Sequence, residues 1–339
     1  AAKSGVPAKI ILMKKVLGHR LRNGDILKEP LMMCFTCGQE EEMSETEILE
    51  RQGFRYAYRR RGDEDAPAVV LLMGLGLPKE AWPETLVSGL LAEGFQVITP
   101  DNRDAGESTH MTSWPVSGRD VFEAIAKTMI GRPVVGEYAL EDMALDLERL
   151  LDRLSIRRAH VVGISMGGMI AQVFAAQCPN RAATLTSISS AVGNPRTGFG
   201  NLRAIAAVAM TGSDGNSAAQ HYTHILRTLA GPQYPPSEAE LTEAAKLKLA
   251  YDAEATRRQL IALLASGNRS RQVRELTAPT LVIHGRDDPL LPFKAGEETA
   301  ALIRGAKLIA VDGLGHQLAP ALMESYVRWI AEHCHAHPA

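Results

Sequence analysis

Two hydrophobic periodicities alternate along most of this chain. Short continuous apolar runs, which are typical of buried parallel strands, end in glycine-rich or aspartate-containing segments. An earlier run, 54–58, instead places aromatic residues at every second position, as in a half-exposed strand. The predicted strands, in chain order, are 54–58, 69–73, 95–99, 161–163, 183–189, 280–284 and 307–311.

Between these runs lie longer stretches that carry leucine and other apolar residues at helical spacing. The predicted helices are 79–93, 140–155, 169–177 and 319–333, with a shorter one around 119–130 inside a long connection. Strands that alternate with helices indicate βαβ units. We therefore expect an α/β fold with a parallel sheet and helices on both faces.

The alternation stops near residue 192. Residues 194–272 contain helical patterns and no convincing strand, and Gly-Pro and Pro-Pro pairs interrupt them. The helices predicted there are 201–211, 216–229, 237–250 and 252–265. We expect this insertion to cover the C-terminal edge of the sheet, which divides the chain into a core (43–192 and 273–339) and a helical cap (193–272).

Residues 1–42 do not share these patterns. We interpret them as an N-terminal extension that is partly ordered at best, or that packs on the core or on a partner subunit. Cys34-x-x-Cys37 lies within it. A zinc site of this type needs a second pair of ligands, so chance spacing is favoured over a metal or redox function.

Composition narrows the choice of partners and compartment. The 339 residues are 45% hydrophobic and 22% charged, which is ordinary for a globular protein with a large core. The net charge of −2 gives no indication of a nucleic-acid partner. No apolar run reaches the roughly 18 residues of a membrane span, and no apolar signal segment follows the first lysines. Four cysteines suggest no disulfide framework, so we expect a reducing, cytoplasmic location.

The most informative motif is Gly163-x-Ser165-x-Gly167, which lies between a strand and a helix. Such a turn forces the serine into a strained backbone conformation, and side chains at the two glycine positions would collide. Its N–H groups lie at a helix N-terminus, where negative charge is stabilised. We therefore predict that Ser165 is a catalytic nucleophile.

A serine nucleophile needs a general base and an orienting carboxylate. His316 is the histidine that follows a strand end in a glycine-rich loop late in the chain, so we predict it as the base. Asp288, which precedes Pro289, is the favoured acid because proline fixes an extended turn there. Asp287 and Asp312 are the alternatives.

A tetrahedral intermediate also needs backbone N–H donors for its oxyanion. One donor is expected from Met166, the residue after the nucleophile. The other is expected from Leu75 in the loop after the strand at 69–73, with Gly76 as the alternative.

Together these motifs resemble the α/β-hydrolases, and within them bacterial esterases of the aclacinomycin-methylesterase type. The motifs that carry the resemblance are 73–76 (MGLG), 102–109 (NRDAGEST), 138–144 (YALEDMA), 163–168 (GISMGG), 284–289 (HGRDDP) and 315–316 (GH). The resemblance implies an eight-stranded, mostly parallel sheet and neither a metal nor an organic cofactor. Arg103 and Asp104 are interpreted as structural. Two features depart from the family: Met73 replaces a histidine common in the oxyanion loop, and 1–42 has no counterpart.

These inferences predict a serine carboxylesterase that acts on small to medium acyl esters, as a monomer or homodimer. Lactone, thioester and carbon–carbon bond hydrolysis use the same three residues and remain alternatives. A ligand-binding receptor with a vestigial triad is an alternative of another class. The acyl pocket is expected to be apolar, because the insertion is rich in large apolar residues: Leu202, Ile205, Met210, Leu226, Leu249 and Leu263.

Overall fold

The computed structural model describes residues 45–51, 53–209, 218–246 and 252–339. The predicted extension 1–42, with its two cysteines, lies outside these ranges. The strands of the described residues are β1 (Glu47–Arg51), β2 (Phe54–Arg61), β3 (Ala68–Leu72), β4 (Gln96–Pro100), β5 (Ala159–Ile164), β6 (Ala182–Ile188), β7 (Thr280–Gly285) and β8 (Lys307–Val311).

These strands form one sheet in the order β1-β2-β4-β3-β5-β6-β7-β8. The pairs β1–β2 and β2–β4 are antiparallel, and the other neighbouring pairs are parallel. The expected mostly parallel, eight-stranded sheet is therefore confirmed. Because parallel strands end at the same edge, the segments that follow β3, β5, β7 and β8 meet there.

The sequence patterns did not predict β1. Four of its five residues are exposed, and it lies at the edge of the sheet, where it pairs with β2 alone. A strand held mainly by backbone hydrogen bonds at an edge shows no buried face, so it leaves no apolar alternation in the sequence.

Helices cover both faces of the sheet. Their bounds are α1 (Glu84–Ala92), α2 (Gly118–Met129), α3 (Leu140–Arg153), α4 (Met166–Gln177), α5 (Leu202–Ala209), α6 (Ala218–Leu229), α7 (Glu238–Lys246), α8 (Ala253–Ala265), α9 (Ser270–Arg274), α10 (Phe293–Leu302) and α11 (Met323–His335). One face packs against α1 and α11 through buried residues such as Leu86 and Tyr326. The other packs against α3 and α4 through residues such as Leu147 and Phe174.

Several helices differ from the sequence prediction, and the short helix α9 was not predicted. The single helix expected at 79–93 is a 3₁₀ turn, Lys79–Ala81, followed by α1, because Pro83 separates them. Helix α10 was not predicted at all. It buries only the small residues Ala295, Gly296 and Thr299, so it lacks the stripe of large apolar residues on which the prediction depends.

The segment between β6 and β7 contains α5 to α9, and no strand is found in its described residues. Helix α8 bonds to the loops that follow β3 and β4. It begins at an Asp252 cap, whose side chain accepts hydrogen bonds from the N–H groups of Glu254 and Ala255. It buries long polar side chains as well as apolar ones, among them Arg258 and Gln259.

Among the described residues, no helix combines the length and the apolar composition that a transmembrane crossing requires.

Candidate active site

Ser165 lies in the tight turn between β5 and α4. Its backbone has φ 54° and ψ −120°, the strained conformation that the motif predicts. A Cβ on Gly163 would collide with the carbonyl of Gly167, and a Cβ on Gly167 would collide with the carbonyl of Leu72. Both glycines are therefore required by the close approach of backbone segments at this turn.

The structure brings together the three side chains that the sequence selects. The Oγ of Ser165 lies 2.9 Å from Nε2 of His316, and Nδ1 of His316 lies 2.7 Å from Oδ2 of Asp288. An ionised carboxylate only accepts hydrogen bonds, so Nδ1 carries the ring proton and Nε2 is free to accept the serine hydroxyl. This is the arrangement of nucleophile, base and orienting acid.

Asp288 is buried and well supplied with donors. Its Oδ1 accepts hydrogen bonds from the N–H groups of Leu290 and Leu291, each at 2.9 Å, and Nε2 of His284 lies 3.4 Å from Oδ2. Burial raises the pKa of this carboxyl, but the imidazoles of His316 and His284 outweigh burial and lower the pKa to about 2. Asp288 is therefore ionised at neutral pH.

The two alternative acids point elsewhere. The Oδ2 of Asp287 accepts a hydrogen bond from the N–H of Gly313 at 2.9 Å, which ties the loops after β7 and β8 together. Asp312 forms an exposed ion pair with Arg286. Neither carboxylate is hydrogen-bonded to His316.

The histidine loop is held by the cap, a feature that the sequence did not reveal. The N–H of His316 donates to the carbonyl of Leu229, at the end of α6, over 2.8 Å. The amide of Gln317 accepts from the N–H of Gly231 and donates to the carbonyl of Tyr234. The cap therefore fixes the backbone on both sides of the imidazole.

Two backbone N–H groups were predicted to form an oxyanion site near Ser165. Met166 is the first residue of α4, so its N–H has no intrahelical acceptor. The loop after β3 passes directly beside the serine, because a Cβ on Gly74 would be 3.4 Å from that of Ser165. Among the described residues, no protein acceptor is bonded to the N–H of Leu75, whereas that of Gly76 donates to Gln259. Leu75 and Met166, and not Gly76, therefore remain available to an oxyanion.

A cavity of about 330 Å³ opens over Ser165 and His316. Its walls come from the core, as with Met73 and Ile164, and from the cap, as with Tyr222 and Leu260. In the described part of the chain, no Asp, Glu, Lys or Arg side chain lines it. Ser165 and His316 therefore line a mainly apolar cavity.

The structure places some of the predicted pocket residues in the cavity wall and others elsewhere. Ile205, Leu226 and Leu263 line the cavity, as expected. The expectation for Leu202 is wrong: it is the first residue of α5 and its side chain is 82% exposed. Met210 and Leu249 lie outside the described residues.

Arg103 and Asp104 form buried ion pairs away from the reacting groups. Arg103 donates two hydrogen bonds to Asp146, at 2.8 and 2.9 Å. Asp104 accepts from Arg258 at 2.9 Å and from the Tyr138 hydroxyl at 2.7 Å. These contacts hold the loop after β4 against α3 and α8, which is the structural role that the sequence suggested.

Among the described residues, the remaining metal-binding and thiol side chains show no catalytic arrangement. No group of three or more His, Cys, Asp or Glu side chains in the described ranges is placed to hold a metal ion. Cys178 and Cys334 are free, and burial raises the pKa of their thiols to about 11 and about 12. Both therefore remain protonated at neutral pH and neither is an activated nucleophile.

Known proteins resemble this chain in sequence and in fold. The chain is 26% identical over 301 residues to the rhodomycin D methylesterase of Streptomyces peucetius, covering 80% of this chain and 92% of that protein. The structure of an esterase from Exiguobacterium antarcticum aligns with a TM-score of 0.66 at 19% identity, covering 86% of this chain and 98% of that one. An enol-lactonase from Burkholderia xenovorans aligns with a TM-score of 0.64 at 22% identity, covering 85% and 99%.

The alpha/beta hydrolase fold family matches residues 67–319, about three quarters of the chain. The match includes all three residues of the hydrogen-bonded chain from Ser165 to Asp288, together with the loop after β3. The sheet order, the serine turn and this extended match lead to one conclusion: the chain belongs to the alpha/beta hydrolase fold family.

Proposed function

We propose that this protein is a serine carboxylesterase that hydrolyses small to medium, uncharged acyl esters through an acyl-enzyme. The observation that carries the proposal is the continuous hydrogen-bonded chain Ser165–His316–Asp288, of which Ser165 and His316 line an apolar cavity. The relative named rhodomycin D methylesterase cleaves a methyl ester, which supports the same bond type for this chain.

The first half-reaction forms the acyl-enzyme. The Oγ of Ser165 attacks the ester carbonyl carbon while Nε2 of His316 takes the hydroxyl proton. The negative charge that develops on the carbonyl oxygen is stabilised by the N–H groups of Leu75 and Met166. When the intermediate collapses, His316 gives its proton to the departing alkoxide and the alcohol leaves. Asp288 keeps the imidazole oriented and stabilises its cationic form.

The second half-reaction reverses these roles with water. His316 takes a proton from water as the water oxygen attacks the acyl carbon, and the same two N–H groups bind the new oxyanion. The proton then returns to Oγ of Ser165 as the ester bond to the enzyme breaks. The carboxylic acid is released and the free serine is restored.

The lining of the cavity argues for uncharged substrates. A carboxylate placed there would lose its hydration and meet no cationic side chain among the described lining residues. The penalty for burying an unpaired ion in a protein is several kcal/mol. Both the acyl and the alcohol groups of the substrate are therefore expected to be neutral and mainly apolar.

A matched pair of substrates tests this proposal. We expect sustained turnover of p-nitrophenyl butyrate, with kcat/KM at least about tenfold above that of p-nitrophenyl hemisuccinate, which adds a terminal carboxylate. An uncharged γ-lactone and a thioester of the same acyl length extend the panel to the alternative reactions. A preference for the anionic ester or for peptides would defeat the proposal. A single burst without further turnover would support the receptor alternative.

A further inference from the structure

Gln259 connects the cap to the loop that carries Leu75. It lies on α8, and its side chain is fully buried. Its Oε1 accepts a hydrogen bond from the N–H of Gly76 at 2.7 Å, and its Nε2 donates to the carbonyl of Arg103 at 2.7 Å. One side-chain amide therefore joins two core loops, those after β3 and β4, by using its acceptor and its donor at once.

The loop after β3 is held from two sides. On the core side, the amide of Asn102 donates to the carbonyl of Met73 at 3.0 Å. On the cap side, Gln259 binds Gly76, whose φ of +71° and close packing leave no room for a side chain: a Cβ there would lie 2.6 Å from Oγ1 of Thr256. Leu75 lies between these two attachment points. The direction of its N–H thus depends on both.

We infer that Gln259 is a positioning residue for the oxyanion-binding N–H of Leu75. It fixes the peptide plane between Leu75 and Gly76, one of the two planes that flank Leu75, by a bond from the cap. Its removal leaves the loop attached only on the core side. This inference rests on the proposed esterase function and adds that the oxyanion site is complete only when α8 is seated on the core.

A separate contact keeps α8 in place when Gln259 is changed. The neighbouring residue Arg258 pairs with Asp104 through Nε at 2.9 Å, and both side chains are buried. Ser266, at the C-terminal end of the helix, accepts from the N–H of Leu140 and donates to Glu141. Substitution of Gln259 is therefore expected to leave α8 folded and docked.

The test compares Gln259→Leu with Ser266→Ala, a control that removes a contact between α8 and the core without touching the loop after β3. The measurements are kcat and KM for p-nitrophenyl butyrate, and the Ki of a trifluoromethyl ketone, which forms an oxyanion adduct with the serine. We expect Gln259→Leu to lower kcat about tenfold to hundredfold, somewhat less than the loss of a whole oxyanion donor. KM should stay within about threefold, and ketone affinity should fall by the same factor as kcat. Ser266→Ala should leave all three unchanged.

The outcomes separate positioning from a structural role. If folded Gln259→Leu keeps its kcat and its ketone affinity, the inference is wrong. It is also wrong if both variants lose activity equally, in step with a lower melting temperature. Gln259→Met, which preserves the length of the side chain, takes the place of the leucine variant if that variant does not fold. A wild-type protein that turns over no ester overturns the proposed function itself, and this result is seen before any variant is compared.

Discussion

The C-terminal ends of the parallel strands, called the sheet edge below, and the cap helices contribute to the same cavity in different ways. At the sheet edge, Ser165, Asp288 and His316 each follow a strand end by a few residues, and hydrogen bonds of 2.9 and 2.7 Å connect them. The cap supplies apolar side chains from several helices and also bonds to the loops around the site, as Gln259 does with Gly76 and the carbonyl of Leu229 does with the N–H of His316.

We expect the groups at the strand ends to carry out the reaction, and the cap side chains that line the cavity to select the substrate. Reactive groups on short loops after the strands have little freedom, because the core holds these loops and bonds from the cap support the loop of His316. Cap side chains form a wall whose shape depends on how helices pack. We therefore expect substitutions of the reactive groups to abolish turnover for every substrate, and substitutions of the cap side chains that line the cavity to change the order of substrates.

The largest effect is expected from removal of Ser165, the proposed nucleophile. Ser165→Ala should lower kcat by about four to six orders of magnitude, since the remaining groups cannot form an acyl-enzyme. The melting temperature should change little, because alanine fits the same turn. Steady-state turnover of p-nitrophenyl butyrate and circular dichroism measure the two quantities. Residual activity above about one per cent of wild type would contradict the role of Ser165. Substitutions at the strand ends and in the cap would then not differ in their effect on turnover.

The next effect distinguishes two adjacent acids. Asp288→Asn should lower kcat by about three to four orders of magnitude, because an amide stabilises the wrong tautomer of His316. Asp287→Asn is the matched control, and its loss should stay within about threefold since Asp287 bonds only to backbone in the loop after β8. The reverse order would assign the acid to Asp287. Both variants are assayed with the same ester at neutral pH, where the wild-type Asp288 is ionised.

A smaller and more selective effect is expected in the cap. Leu226→Trp should fill part of the cavity and lower kcat/KM for octanoyl esters about tenfold to hundredfold relative to acetyl esters. Leu202→Trp is the control, because Leu202 is largely exposed and should leave the chain-length profile unchanged. A uniform loss for all acyl lengths in the Leu226 variant would show that this wall does not select the acyl group.

The smallest effect on activity is expected from substitution of His160, a core histidine away from the C-terminal ends of the strands. His160 is buried in β5, and burial, with cationic neighbours such as His333 and Arg158, lowers its pKa from 6.5 to about 4. The unfolded chain therefore binds a proton between these values while the folded chain does not. The stability that neutral His160 contributes is complete above pH 6.5 and is lost as the pH falls toward 4, by about 3 kcal/mol. Urea unfolding should show a shallower acid dependence in His160→Gln with neutral-pH turnover unchanged. An identical acid dependence would contradict the burial argument.

The contrast between the two regions also separates what the sequence predicts from what it does not. The serine turn depends on local contacts. Gly163, Ser165 and Gly167 lie within five residues, and the close approach of backbone segments explains the two glycines. The choice of Asp288 is local too, because the turn before and after Pro289 lets its carboxylate bind two following N–H groups. Contacts between residues that are close in sequence leave a pattern that can be recognised from the sequence.

Long-range contacts leave no such pattern. Gln259 binds Gly76 across 183 residues of sequence, and nothing in the spacing of either residue indicates the partner. The exposure of Leu202 was mispredicted for a related reason: helical periodicity identifies an apolar residue but not whether a neighbouring helix covers it. Helix α10 and strand β1 escaped prediction because neither buries large side chains in a regular stripe.

Covalent labelling tests the central claim of a serine activated by a histidine at the sheet edge. The protein is treated with a fluorophosphonate, digested, and mapped by mass spectrometry, alongside Ser165→Ala and His316→Ala. We predict one phosphonate on Ser165, no label in the serine variant, and labelling slowed at least about hundredfold in the histidine variant, in which no base activates the hydroxyl. A label that maps to another residue, or that forms equally fast without His316, would contradict the account.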